Sequence, residues 1–212
     1  MSDPSTQRTV LAATLREAGP DAPTLCEGWT SRDLAAHLVV RERRPDIGPG
    51  LVLPTVPVLA GWTDRVRRGY AKRDYQRLVD ELASGPPWYS PFALPGFDAR
   101  ANLTEFFVHC EDVRRAQPGW QPRLLDDGYT AALWQAVSRG GRLMFRRVPF
   151  GVTLRTPGGT SRQVRDGTRG VVLSGQPGEL LLLATGRRRH ALVEISGPDD
   201  ALQAFEEARL GI

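Results

Sequence analysis

Apolar residues recur every three or four positions through the first two thirds of the chain, then give way to shorter and denser runs. In TQRTVLAATLREAG, Val10, Leu11 and Leu15 share one side of a predicted helix that Gly19-Pro20 stops. TSRDLAAHLVVRER opens with Thr30 three residues before Asp33, close to a capping box, and continues to Pro45 as a second helix, apolar almost all round His37. DIGPGLVLPTVP reads as a Pro/Gly-rich loop, LAGWTDRVRRGYAKRDYQRLVDELASG as one broken or two short helices, and PPWYSPFALPGF as another loop. A further helix is expected over roughly residues 98 to 117, ended by Pro118-Gly119, and the next in DDGYTAALWQAVSRGGRLMFRR.

From Val148 the grammar changes. VPFGVTLRT and ALVEISG are short β-type runs, whereas GQPGELLLLATGR and GPDDALQAFEEARL open with Pro and acidic residues as helices do. The expected architecture is α followed by α+β: an antiparallel helical bundle over residues 1–147, then a small α+β domain over residues 148–212.

Composition narrows the functional classes. With 212 residues and 41% apolar content the chain can build a real core. LLLLA is far shorter than the ~20 residues that span a bilayer, and MSDPSTQRTV carries no hydrophobic signal segment, so a cytoplasmic protein without membrane partners is expected. Two cysteines, Cys26 and Cys110, are too few for a disulfide framework and are expected as free thiols. The formal charge is +4, but the basic residues are dispersed through RERR, RVRR, FRR and GRRRH, and no nucleic-acid recognition motif accompanies them. Nucleic acid is therefore not the expected partner.

Candidate chemistry lies in NLTEFFVHCEDVRR. At about 100° per residue, Glu105, His109 and Asp112 fall within one sector of roughly 60°, flanked by Ala101 and Ala116. Leu103, Phe106, Phe107, Cys110 and Val113 form a separate apolar arc. By spacing alone Glu105 and His109 also fit a solvent-facing pair four residues apart. His37 shifts the balance, because an imidazole on a largely apolar helix needs partners for its ring nitrogens. His37 from one helix with Glu105 and His109 from another would give two imidazoles and a carboxylate, a donor set that suits Zn²⁺ in an open site and also accommodates iron, nickel or manganese. Asp112, one turn beyond His109, and Asp33, one turn before His37, are candidates for outer-shell support or additional ligation, with a solvated helix carboxylate as the competing reading.

LCEGWTSRDLAAHL followed by EFFVHCEDVRRA resembles the mycothiol-dependent maleylpyruvate isomerase family, a branch of the DinB-like metal-binding four-helix bundles, and within it an actinobacterial metal-binding subfamily. Trp29, Asp33-Leu34, His37, Glu105 and His109 stand where the family pattern requires them. The resemblance extends over the chain, with GELLLLATGRRRHALVEISGPDDALQAF similar to the family's smaller C-terminal domain. It implies a DinB-like four-helix bundle, a divalent metal held by His37, Glu105 and His109, and chemistry in which mycothiol adds to an electrophilic double bond, rotation follows and the thiol leaves. The implied partners are a small-molecule thiol and a small electrophilic or acidic substrate, acted on by a monomer or homodimer. Arg187, Arg188 and Arg189 are candidates for holding an acidic substrate, against the reading of a surface cluster, and His190 is not expected to ligate. The alternative function is a non-catalytic metal or small-ligand binding protein of the same fold.

Overall fold

The computed structural model describes residues 4–47, 57–94, 97–167 and 169–211. The chain forms two compact units, one ending at Pro122 and the other beginning at Arg123.

The first unit is helical: α1 (Pro4–Ala18), α2 (Ser31–Arg43), α3 (Pro57–Ala71), α4 (Tyr75–Ala83) and α5 (Phe97–Arg114), with 3₁₀ turns at Pro45–Ile47 and Pro91–Ala93. Local chemistry sets the ends. Gly19 stops α1 at a φ of +82°, a setting glycine adopts without strain, and its N–H closes on the Leu15 carbonyl at 3.0 Å. At the start of α2 the Thr30 N–H and hydroxyl both donate to Asp33 Oδ2, at 3.2 and 3.0 Å. Asp74 caps α4 by accepting from the Arg77 N–H at 2.9 Å, which resolves the expected broken helix into two.

One core cluster draws Leu11 and Leu15 from α1, Leu34 and Leu38 from α2, Leu78 and Leu82 from α4, and Phe106, Cys110 and Val113 from α5. Fully burying each such side chain contributes about 1.5–3 kcal/mol, so shared apolar burial is what holds these four helices together. The fifth helix, α3, packs on α2 through Val66, beside Val40 and Ile47.

The second unit begins with α6 (Asp127–Met144), capped by Asp126, which accepts from the Tyr129 N–H at 2.9 Å. A mixed sheet follows, built from β1 (Gly151–Arg155), β2 (Ser161–Arg165), β3 (Gly170–Ser174) and β4 (Glu194–Ser196) in the order β2-β1-β3-β4. β1 runs antiparallel to β2 and parallel to β3, and β3 runs antiparallel to β4. Two helices complete it, α7 (Pro177–Ala184), buried along its length, and α8 (Asp199–Glu207). α6 packs on α7 and on β2.

A helical N-terminal region before a small mixed sheet is the order the sequence predicts. The expected change of domain at residues 147 and 148 marks where strands begin; the break between compact units comes one helix earlier, because α6 spends its apolar face on α7 and β2. The described residues of the first unit hold five α-helices where the resemblance implies four. β2 and β3 were not expected as strands. SRQVR buries only Val164, so no alternation marks β2, and GVVLS is too short an apolar run to specify its own state. Most of the expected loop at residues 46–57 lies outside the described residues, as do residues 95 and 96 of the second loop.

Candidate metal centre

α2 and α5 bring three donors together. His37 occupies the middle of α2, between buried Ala36 and Leu38. α5 buries Phe106, Cys110 and Val113 in the core, which turns Glu105 and His109, one helical turn apart, toward His37. Glu105 Oε1 lies 3.1 Å from His37 Nε2 and 3.2 Å from His109 Nε2. The two imidazole rings meet edge to face with centroids 5.3 Å apart. One donor atom from each of the three residues falls within 4.8 Å of the others, a spacing that a single ion can span. Their side chains keep 18, 25 and 12% exposure for His37, Glu105 and His109, so a ligand from solvent can reach them.

Around this cluster stands a second layer. Asp112, fully buried, faces His109 Nδ1 with Oδ2 at 2.9 Å, and the same oxygen accepts the Cys26 thiol at 3.2 Å. Asp112 also receives the Leu25 N–H on its carbonyl at 3.0 Å, which ties the loop carrying Cys26 to α5. A carboxylate on Nδ1 holds a proton there, so Nε2, which donates to Glu105 when no ion is bound, is the nitrogen that can give up its proton to ligate one. On the α2 side, the Trp29 ring lies 5.3 Å from the His37 ring, and the Arg67 guanidinium stacks 4.5 Å over Trp29. Asp33 pairs with Arg67 through Oδ1. Arg41, one turn after His37, brings Nε to 3.5 Å from Glu105 Oε1 and lies 4.4 Å over the Phe92 ring.

The electrostatics follow from this packing. Burial opposes the Glu105 charge, but hydrogen bonds from His109 and His37, with Arg41 nearby, hold its carboxyl well below the ordinary range. Burial likewise opposes a charged His109, but Asp112, Cys26 and Glu105 outweigh it and hold this imidazole well above its usual value. His37 goes the other way: burial lowers it and Glu105 offsets that only in part. Without an ion the cluster is thus a carboxylate, a protonated His109 and a neutral His37.

The chemistry of the donors fits a divalent cation. Both Nε2 atoms face one carboxylate oxygen, so two imidazole nitrogens and a carboxylate, the donor types that divalent zinc takes, converge on one point. Cys26, His109 and Asp112 form a second group of possible donors that shares His109. That group is the more closed, since Asp112 is fully buried and Oδ2 is engaged by both Nδ1 and the thiol.

Of the residues singled out in the sequence, His37, Glu105 and His109 come together and Asp112 adjoins them. Asp33 belongs to neither donor group; its carboxylate is divided between the start of α2 and Arg67. Arg187, Arg188 and Arg189 lie in the second unit. There Arg187 donates to the Thr185 carbonyl at 2.6 Å, Arg188 holds the Glu206 and Ala208 carbonyls and stacks on Phe205, and Arg189 is exposed. His190 follows in the same turn, outside both donor groups. Cys110 is buried on the apolar arc, and both cysteines are free thiols. The side chain of Ala101 lies outside the described residues. Sequence reasoning missed Arg41, whose only signal is its place one turn from His37, and the thiol of Cys26, whose approach to Asp112 depends on a loop path that no periodicity encodes.

Residues 5–85 match the family described as the mycothiol maleylpyruvate isomerase N-terminal domain, a span that includes His37 but ends before Glu105. A solved structure, the mycothiol-dependent maleylpyruvate isomerase carrying a histidine-to-alanine mutation, shares the fold. Its TM-score is 0.63 at 15% identity, over 91% of this chain and 90% of that one. No curated protein matches the chain. Among the described residues, no helix is long and apolar enough to cross a membrane.

Proposed function

We propose that this chain, whose residues 5–85 match the mycothiol maleylpyruvate isomerase N-terminal domain family, is a divalent-metal-dependent enzyme that uses mycothiol or a similar thiol in transfer to, or isomerisation of, a small electrophilic substrate. The observation that carries this reading is the convergence of His37, Glu105 and His109. These three would hold the cation, zinc first and nickel, iron or manganese as alternatives, on a DinB-like core made by α1, α2, α4 and α5.

A bound divalent cation would supply Lewis acidity and favour the thiolate form of an incoming thiol at neutral pH. The chain's own groups do the rest. Asp112 keeps the His109 proton on Nδ1, Trp29 walls one side of His37, and the partial exposure of the three donors leaves a way in for substrate. Arg187, Arg188 and Arg189 remain proposed contacts for an acidic substrate, with Arg189 the most available of them by exposure.

Metal analysis of protein purified without chelator tests the reading directly. About one divalent ion per chain is expected, lost in His37→Ala and in Glu105→Ala, together with mycothiol consumption against a panel of electrophilic alkenes. Metal-free wild-type protein would sink it. Metal retained with no thiol consumed would favour a non-catalytic metal-binding protein instead.

A further inference from the structure

A chain of buried polar groups runs from α1 to the candidate metal centre. Arg8 on α1 is forked onto Glu42 of α2, with Nη1 2.7 Å from Oε2 and Nη2 2.8 Å from Oε1, and Nη1 also donates to the Leu82 carbonyl at 3.1 Å. Asn102 on α5, fully buried, donates from Nδ2 to Glu42 Oε1 at 3.0 Å and accepts from Arg41 Nη1 on Oδ1. Arg41 in turn directs Nε at Glu105 Oε1. Arg8, Glu42 and Asn102 are all at most 5% exposed, beside a core cluster of leucine, valine, alanine, cysteine and aromatic side chains.

Buried polar groups on this scale are costly unless every member is satisfied, so their arrangement is informative. Glu42 fixes which way the Asn102 amide points, because a carboxylate accepts only from the NH₂ end. The amide oxygen must then face Arg41. Phe92 covers the guanidinium plane at 4.4 Å, leaving its edge toward Glu105. The contacts from Asn102 and Phe92 thus reach Arg41 from outside the metal cluster, and neither depends on an ion being present.

We propose that Arg41 and Asn102 are positioning residues for the metal centre, with the Arg8–Glu42 pair as their anchor, and that they hold the Glu105 carboxylate in the rotamer that meets His37 and His109. The proposal rests on the reading of Glu105 as a ligand. A flexible glutamate must surrender rotamer freedom to bind an ion. A guanidinium fixed against it removes part of that freedom in advance, which is how outer partners raise metal affinity.

The test is metal affinity by chelator competition, with zinc and with cobalt as a spectroscopic probe, on wild type, Arg41→Gln, Arg41→Lys, Asn102→Leu and Arg43→Gln. Arg41→Gln and Asn102→Leu should each weaken binding by about 10–100-fold with unchanged stoichiometry at saturation and an altered cobalt absorption spectrum. Arg41→Lys should fall between them and wild type, because it keeps the charge but not the planar fork. Arg43→Gln is the control: Arg43 Nη2 donates to the Glu81 and Gly85 carbonyls and to Ser84, away from the centre, so affinity should not move. Should Asn102→Leu fail to fold, the Arg41 pair decides. Wild-type affinity in a folded Arg41→Gln overturns the proposal, whereas a wild-type protein that takes no metal overturns the metal reading beneath it.

Discussion

Asp112 is where a single side chain has most leverage over the centre without being one of the three converging donors. Its carboxylate sits on His109 Nδ1 at 2.9 Å and is shielded completely from water. Asp112→Ala would leave the His109 ring free to adopt the other tautomer, so metal affinity is expected to fall about 10–100-fold, while Asp112→Asn, which can still present an oxygen to Nδ1, should lose less. Equal affinities across the three proteins, measured by chelator competition, would remove Asp112 from the site. The same hydrogen bonds make the centre pH-dependent in two opposite senses. His109 is held well above its ordinary 6.5, so in metal-free protein its contribution is complete below that value and is lost as pH rises through the raised one. Glu105 is held well below its ordinary 4.5, so its contribution is present above that value and is lost in acid. Zinc needs the His109 proton gone, and binding therefore gains with pH where the metal-free pair weakens. The difference in Tm between zinc-loaded and metal-free protein should widen from about pH 6 to about pH 8. A constant difference across that range would mean that His109 is not giving up a proton to the ion.

At the scale of elements, the docking of α6 makes the sharpest case. A Cβ at Gly141 would stand 2.7 Å from Val164 Cβ and Cγ1 on β2, and a β-branched side chain cannot swing aside. Gly141→Ala should thus cost about 1–3 kcal/mol of overpacking against a helix-propensity gain of about 1 kcal/mol, and lower the Tm. At Gly140 the nearest atom is the Met144 methyl at 3.2 Å, the end of a flexible chain, so Gly140→Ala should be neutral or stabilising. Similar thermal shifts for the two variants would contradict the close packing of α6 on β2. This contact also explains the limits of the sequence. Helical spacing in α1 and α5 identified those helices and put Glu105, His109 and Asp112 on one stripe beside the apolar arc of α5, whereas α2, apolar almost all round, was marked by its capping residues and Pro45. Periodicity says which face of α6 is apolar but not what it meets, and so the helix was expected with the bundle. β2 had even less to offer, with one buried side chain in five residues. Arg41 and Asn102 were illegible for a related reason: a buried polar network is specified by partners on other helices, and spacing along one helix carries no trace of them.

Across the whole molecule, all three proposed ligands and every side chain identified as supporting them belong to the unit that ends at Pro122, whereas the unit from Arg123 has its own buried strands and helices. A ligand stabilises whatever must remain folded to bind it, by RT ln(1 + [L]/Kd), which is about 2.7 kcal/mol at a hundredfold excess over Kd. Hydrogen exchange can locate that energy. If the ion is held by α2 and α5 alone, zinc should slow exchange of the deepest amides in α1, α2, α4 and α5, whose side chains share one core, by up to about a hundredfold, and leave β1, β3 and α7 unchanged. Slowing of equal size in both units would show that they open together, so that the metal stabilises the chain as one cooperative body. Slowing confined to the second unit would place the ion elsewhere and leave the cluster of His37, Glu105 and His109 as a hydrogen-bonded network with no metal to hold.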